Sequence, residues 1–322
     1  MRVFNEAFYT SAARSALAAF GVDPGAHVTL IKHRENAVFK VENAGLKAVL
    51  RMHRPGYRTI AQLQSEAAWT SDLRGASVPT PAHIPGTDGE AIQIVKTADG
   101  IAIYVDLLEW VDGAPASDEQ LVPTFAEVGR LTALIHEHSK IWQRPAGFDR
   151  PLLDQNSLFG KNGVWGDFAQ LAGTSAQQQQ LFARLADAVR ADLSGFAKTR
   201  ETWGLIHGDL MPENILKSPS GTIVIDFDDG GESWFVGDLA TSLGMYLGTD
   251  MFDPLMAAWL EGYASVADPE VIGLERLPTL IGARLLQGLG WMHTRRDSEV
   301  ARQMTPFVIG ATVDFAENYL SG

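Results

Sequence analysis

Leu205-Ile-His-Gly-Asp-Leu-Met-Pro-Glu-Asn-Ile-Leu216, followed after a turn by Ile223-Val-Ile-Asp-Phe-Asp-Asp229, is the stretch whose reading decides the fold. It offers Asp209, then Asn214, then Asp226 at the end of an apolar run. In phosphoryl transfer a protein mainly positions groups and neutralises charge, so it needs a carboxylate facing the acceptor hydroxyl and oxygen ligands for magnesium. These three residues supply both. Asp209 would orient or deprotonate the acceptor, while the amide oxygen of Asn214 and the carboxylate of Asp226 are hard donors suited to Mg²⁺. By itself His207-Gly208-Asp209 reads equally well as a polar turn, and only the ordered set with Asn214 and Asp226 points to a site. Asp226, Asp228 and Asp229 before Gly230 do not make a calcium loop, because the glycine comes one place early and no glutamate closes twelve residues.

Upstream of this stretch the periodicity is mixed. Phe4, Phe8, Leu17 and Phe20 share a helical stripe that ends at Gly21, which predicts a helix over residues 5–20. Three β-rich runs follow, Val28 to Ile31, Ala37 to Val41 and Lys47 to Met52, separated by the turn-forming stretches His33-Arg34-Glu35-Asn36 and Glu42-Asn43-Ala44-Gly45. Short connections of this kind favour antiparallel pairing. Thr59 to Leu73 has helical spacing with Glu66 in its middle, and Ala91 to Val95 and Ile101 to Leu108 flank an Asp99-Gly100 hairpin signal. The result is a five-stranded unit with one inserted helix.

Beyond Trp110 to Pro115 long helical patterns take over: Glu119 to His138, Gln177 to Phe196, Met251 to Tyr263, Leu274 to Thr294 and Phe307 to Leu320. Only Asn214 to Lys217 and Thr222 to Asp226 read as strands there, around a Ser218-Pro219-Ser220-Gly221 turn. The fold class expected is therefore α+β and bilobal. Residues 1–109 would form a nucleotide-binding lobe, 110–115 a connector, and 116–322 a helical lobe carrying the catalytic loop and the metal site.

Composition narrows the partners. A hydrophobic content of 46% suffices for a sizeable core, and a formal charge of −13 disfavours nucleic acid, which is bound through Lys and Arg displacing counterions. No cysteine is present, so neither disulfides nor thiolate ligands are available. Neither a secretory signal nor an apolar stretch long enough to span a bilayer is read, so no membrane partner is expected and the setting would be cytoplasmic.

His207-Gly208-Asp209 through Asn214 resembles the His-x-Asp-x-x-x-x-Asn loop of aminoglycoside phosphotransferases, choline kinases and type II homoserine kinases. Asp226-Phe227-Asp228 matches their version of the kinase Asp-Phe-Gly element. Glu35-Asn36-Ala37-Val38-Phe39 is similar to their nucleotide loop, Val49 to Pro55 to their third strand, Gly129 to His136 to their first large-lobe helix, and Gly237-Asp238-Leu239-Ala240 to the segment after the metal aspartate. The end of the apolar strand and the helix around Arg284 to Arg296 look nearest to the stress response kinase A branch. The resemblance implies a protein-kinase-like fold, ATP·Mg²⁺ bound between lobes, and a His207 that braces the loop rather than carrying a proton. It places Asn36 in the nucleotide loop, Arg51 where a lysine contacts the α- and β-phosphates, and Glu66 as its helix partner. Arginine keeps the charge of that lysine but adds a planar fork, so it is not a neutral exchange. Glu109 and Val111 fall where backbone groups meet adenine.

The acceptor implied is a hydroxyl of an amino alcohol, an aminoglycoside, a sugar-like metabolite or a protein Ser or Thr; nothing bears on the oligomeric state. A nucleotide-binding pseudokinase, which Arg51 keeps open, and a haloacid-dehalogenase-type phosphatase built on Ile223 to Asp228 are the alternatives. Two side-chain groups are read as structural. Arg284, Trp291, Arg295 and Arg296 look like packing and a solvated face. The acidic set Glu213, Asp228, Asp229 and Glu232 would attract a cationic acceptor only if it faced the cleft. Asp238 reads equally as a helix cap or as a brace for the site.

Overall fold

A computed structural model describes residues 6–33, 36–97, 100–219 and 221–321; Phe4, Arg34, Glu35, Asp99 and Ser220, used above, lie outside them. The chain divides into two compact units. The first holds residues 1–114, 143–150 and 216–228; the second holds 115–142, 151–215 and 229–322. The sequence-based division put 143–150 and 216–228 with the helical part. They instead group with the first unit, where Arg150 bonds Glu66 and Phe227 packs on Trp69.

In the first unit α1 (Glu6–Leu17) precedes β1 (His27–His33), β2 (Ala37–Asn43) and β3 (Leu46–Met52), an antiparallel meander. Helix α2 (Ile60–Gly75) follows, opened by a Thr59–Gln62 capping box, in which two orphan backbone donors are satisfied reciprocally. Then come β4 (His83–Ile84), β5 (Ile92–Lys96) and β6 (Ala102–Glu109). The sheet order is β1-β2-β3-β6-β4, and β5 also pairs with β6. The two-residue β4 is the sixth strand, too short for periodicity to reveal.

Strand periodicity decides what each face carries. Ala37, Phe39 and Val41 of β2, Ala48, Leu50 and Met52 of β3, and Ile103, Val105 and Leu107 of β6 are buried against Tyr9, Ala13, Ala16 and Leu17 of α1. Arg51 lies between Leu50 and Met52, and Asp106 between Val105 and Leu107, so both project from the opposite face. The β3–β6 register makes them direct cross-strand partners.

The chain continues through β7 (Ala114–Pro115) into the second unit with α3 (Leu121–Ile141) and α4 (Ala176–Ser194), then β8 (Trp203–Ile206). The hairpin of β9 (Ile215–Ser218) and β10 (Gly221–Val224) joins β7 in a small sheet. β11 (Gly231–Trp234) pairs antiparallel with β8, and α5 (Val236–Leu243), α6 (Phe252–Ala264), α7 (Leu277–Thr294) and α8 (Glu299–Tyr319) complete the chain. β8 and β11 were not foreseen. Each is a four-residue strand satisfied by the other, and neither is long enough to show alternation by itself.

Helices α3 and α6 approach as closely as backbones allow. A Cβ on Gly129 would lie 1.9 Å from the Trp259 carbonyl oxygen, and one on Gly262 would lie 1.8 Å from that of Ala126. This contact matters to the site because α3 carries His136. Gly129→Ala is expected to cost at least about 2 kcal/mol by overpacking, lowering Tm by roughly 4–8 °C for a unit of this size. Thermal unfolding followed by circular dichroism checks it, and an unchanged Tm would mean that the helices are not in contact there.

Candidate active site

The loop after β8 places the predicted catalytic residue. Gly208 has φ +75, and a Cβ there would meet the Asp229 carbonyl oxygen at 2.6 Å, so glycine is needed twice over. The carboxylate of Asp238 accepts from the backbone N–H groups of His207 (3.1 Å) and Gly208 (2.8 Å). Asp238 is therefore a brace for this loop and not the cap of α5, whose N-cap is Phe235. Its other contact is His136 Nε2 at 3.1 Å, while His136 Nδ1 lies 3.0 Å from the Tyr263 hydroxyl. Burial pushes the His136 imidazole below its usual pKa although Asp238 opposes this, and Asp238 is held below its own usual value, against burial, by His136. A ring that donates from Nε2 to Asp238 and accepts from the Tyr263 hydroxyl at Nδ1 satisfies both contacts. His207 Nδ1 accepts from the Asp209 N–H at 3.2 Å, the bracing role expected of it.

Asp209 is held from two sides. Asn214 Nδ2 donates to the Asp209 carbonyl at 2.8 Å and to its Oδ2 at 3.1 Å. Arg284 of α7 donates from Nη2 to Oδ1 at 3.0 Å. The Arg284 guanidinium also stacks 4.2 Å from the centroid of Trp165 and donates to Gln287, and the Trp165 indole N–H donates to Asp229 at 3.2 Å. Arg284 is thus a site residue that the sequence reading set aside with its helix neighbours. Arg295, one of those neighbours, lies over Trp291 instead.

The first unit carries a buried ladder of charge. Asp106 accepts from Arg51 Nε (3.1 Å) and Nη2 (2.7 Å), the planar fork that a lysine lacks. Arg51 Nη2 also reaches Glu66 at 2.7 Å, and Glu66 in turn accepts from Arg150 Nη1 at 3.1 Å. Arg150 Nη2 donates to the carbonyls of Phe227 (2.7 Å) and Asp228 (2.9 Å), and Arg58 donates to the Asp228 carbonyl as well. Burial opposes all of these charges, and the pairing outweighs it at three of them. Arg51 is raised well above its usual value by Asp106 and Glu66; Asp106 is held well below its own by Arg51 and His53; Glu66 is lowered to about 2 by Arg51 and Arg150. For Arg150 burial prevails and its pKa is lowered. Asp106, Arg58 and Arg150 were missed by sequence reading. Asp228 is buried beside Arg58 and belongs to this ladder, not to a surface acidic patch.

Of the other predicted residues, Asn36 is buried at the entry to β2, where its Oδ1 accepts from the Arg54 N–H at 3.3 Å. Glu109 ends β6, and its N–H donates to the Ala82 carbonyl at 2.8 Å, so that donor is not on offer to adenine. The Val111 carbonyl accepts from Gly113 at 3.0 Å. Asp226 follows β10 with φ +68 and is exposed.

An amide oxygen and a carboxylate are hard donors of the kind that Mg²⁺ takes. Both Nδ2 bonds of Asn214 go to Asp209, which assigns its amide nitrogen and orients Oδ1 elsewhere, and Asp226 is an exposed residue. No group of three or more His, Asp or Glu among the described residues is arranged to hold a metal. Few protein ligands with phosphate oxygens completing the shell is the usual habit of Mg²⁺.

Residues 27–277 match the profile of the Phosphotransferase enzyme family. The chain belongs to that family. It is a phosphotransferase, which removes the haloacid-dehalogenase-type phosphatase alternative. A microcompartment-associated aminopropanol kinase is similar at 30% identity over 97% of this chain and 98% of that one, with a TM-score of 0.87. The amicoumacin kinase of Bacillus subtilis is 22% identical over 283 residues, 84% of this chain and 81% of that protein. Choline kinase from Cryptosporidium parvum shares the protein-kinase-like fold at 13% identity, with a TM-score of 0.63 over 92% of this chain and 90% of that one. No helix among the described residues is long and apolar enough to cross a membrane.

Proposed function

We propose that this phosphotransferase moves the γ-phosphoryl group of ATP to the hydroxyl of a small amine-bearing alcohol, with Mg²⁺. The observation that carries the reading is the Asp209 carboxylate held by both Asn214 and Arg284 at the end of a rigidly braced loop. A carboxylate fixed in this way can hold an acceptor hydroxyl in line for attack and take its proton. Bound Mg²⁺, with Asn214 and Asp226 as its protein ligands, would neutralise phosphate charge. Arg51 would add a cation on the nucleotide side, held there by Asp106 and Glu66. Asn36 would serve the nucleotide loop, and the Glu109 carbonyl and Val111 backbone would meet adenine. We place the enzyme in the cytoplasm, where its proposed donor ATP is abundant.

For the acceptor, Arg284 touches both Asp209 and Trp165, so the Trp165–Asp229 pair stands one side chain away from the catalytic carboxylate. The Asp229 carboxylate is the group of this pair that an alkylammonium would take. The similarity to an aminopropanol kinase along nearly the whole chain supports the same class. ADP release measured across amino alcohols, aminoglycosides, sugars and a generic protein substrate tests this. Turnover is expected to rise with short amino alcohols, and stimulation only by neutral sugars or by protein would refute the amine assignment.

A further inference from the structure

The Asp226 turn is held in a backbone region that few side chains adopt. Among the described residues only Ser77 and Asp226 combine a side chain with positive φ, a region that Asp tolerates better than most residues and that its surroundings here fix. The surroundings that do so are on α2 and the 143–150 segment. Glu66 and Trp69, three apart on α2, lie on one helix face. Trp69 packs edge-on against Phe227 with ring centroids 5.2 Å apart, while Glu66 accepts from Arg150. Arg150 then donates to the carbonyls of both residues that follow Asp226. The backbone N–H of Val224 is fixed on the other side by the Pro79 carbonyl at 2.8 Å.

We propose that Arg150 is a positioning residue for the metal aspartate, and that Arg58 supports it. The Arg150 fork spans four acceptors that a single ammonium cannot: Nη1 takes the Glu66 carboxylate and the Gln62 carbonyl, and Nη2 takes the Phe227 and Asp228 carbonyls. Through Glu66 the same guanidinium is joined to Arg51. The ladder therefore runs from the turn bearing Asp226 to Arg51, which keeps its own fork on Asp106 and so stays in place when Arg150 is exchanged. Arg58, donating through Nε and Nη2, closes on the Asp228 carbonyl that Arg150 also binds. This inference rests on Asp226 being a magnesium ligand, as proposed above.

The test is ADP binding by the full chain at a series of Mg²⁺ concentrations, comparing wild type, Arg150→Lys and Arg58→Lys. Partners that orient a metal ligand typically change metal affinity by about 10–100-fold when removed. Arg150→Lys should accordingly need about tenfold more Mg²⁺ for half-maximal ADP binding, with ADP affinity in EDTA unchanged. In metal-free protein labelled with 5-fluorotryptophan, the ¹⁹F resonance assigned to Trp69 through Trp69→Phe should move, because Phe227 shifts against it. A folded Arg150→Lys protein with wild-type Mg²⁺ dependence overturns the proposal. So does an equal loss of ADP affinity with and without Mg²⁺, which would mark a general structural role. Should Arg150→Lys fail to fold, Arg58→Lys carries the test, and an unshifted Mg²⁺ requirement there is equally fatal. If wild-type ADP binding shows no Mg²⁺ dependence, the proposed metal role falls first and this inference with it.

Discussion

Replacing Asp209 with Asn is expected to lower kcat by about 10²–10⁴-fold, the usual contribution of a positioned general base, while ATP affinity changes little. The neutral amide can still accept a hydrogen bond from Arg284 or Asn214, so the loop should keep its shape: its fold depends on Asp238 gripping the His207 and Gly208 backbone. What is lost is the charge that orients an acceptor hydroxyl and receives its proton. Arg284 loses its ion partner, but it remains stacked on Trp165 and bonded to Gln287 and is partly exposed, so the stability cost should be small. Single-turnover kinetics with saturating acceptor, alongside calorimetric ATP binding, separate the two effects. Turnover close to wild type would remove Asp209 from the chemistry. A loss confined to acceptor KM would recast it as a binding residue.

The contrast between what was and was not legible in the sequence follows from how far apart interacting residues lie along the chain. Asp209 and Asn214 are five residues apart and Asp226 follows on the next hairpin, so a local pattern carries their order. The apolar faces of β2, β3 and β6 were equally readable, because a period of two is a local property. Arg51 could be read as a charged residue on a strand, but its bidentate partner Asp106 lies 55 residues away and meets it only through the β3–β6 register. A signal did exist. An aspartate within Tyr104-Val105-Asp106-Leu107-Leu108 must be paired if the strand is buried, since an isolated buried carboxylate is prohibitively costly.

Arg150 left less trace. It follows the loop after α3, and its four acceptors come from α2 and from the turn after β10, so no window of sequence contains the motif. Arg284 was visible but misassigned, because helical spacing groups it with Arg295, which meets Trp291 instead. Spacing reports which residues share a face and not which face meets the site.

Asp226→Ala should abolish Mg²⁺-dependent nucleotide binding, and its backbone decides how the experiment must be built. Removing a metal ligand forfeits charge stabilisation of several kcal/mol, roughly 10³-fold or more in kcat/KM. Alanine at φ +68 adds a separate penalty of about 1–2 kcal/mol, because its Cβ crowds the following carbonyl without the local hydrogen bonding that lets Asp and Asn tolerate this region. Two different causes could therefore produce the same loss in Ala. Asp226→Asn removes the charge and keeps a residue suited to the turn, so it isolates the metal contribution. The expected pattern is that both variants bind ADP as wild type does in EDTA, both fail to gain affinity when Mg²⁺ is added, and only Ala melts earlier. If Asn retained the Mg²⁺ response and only Ala lost it, the carboxylate charge would not be what holds the ion, and the strained turn itself would account for the effect.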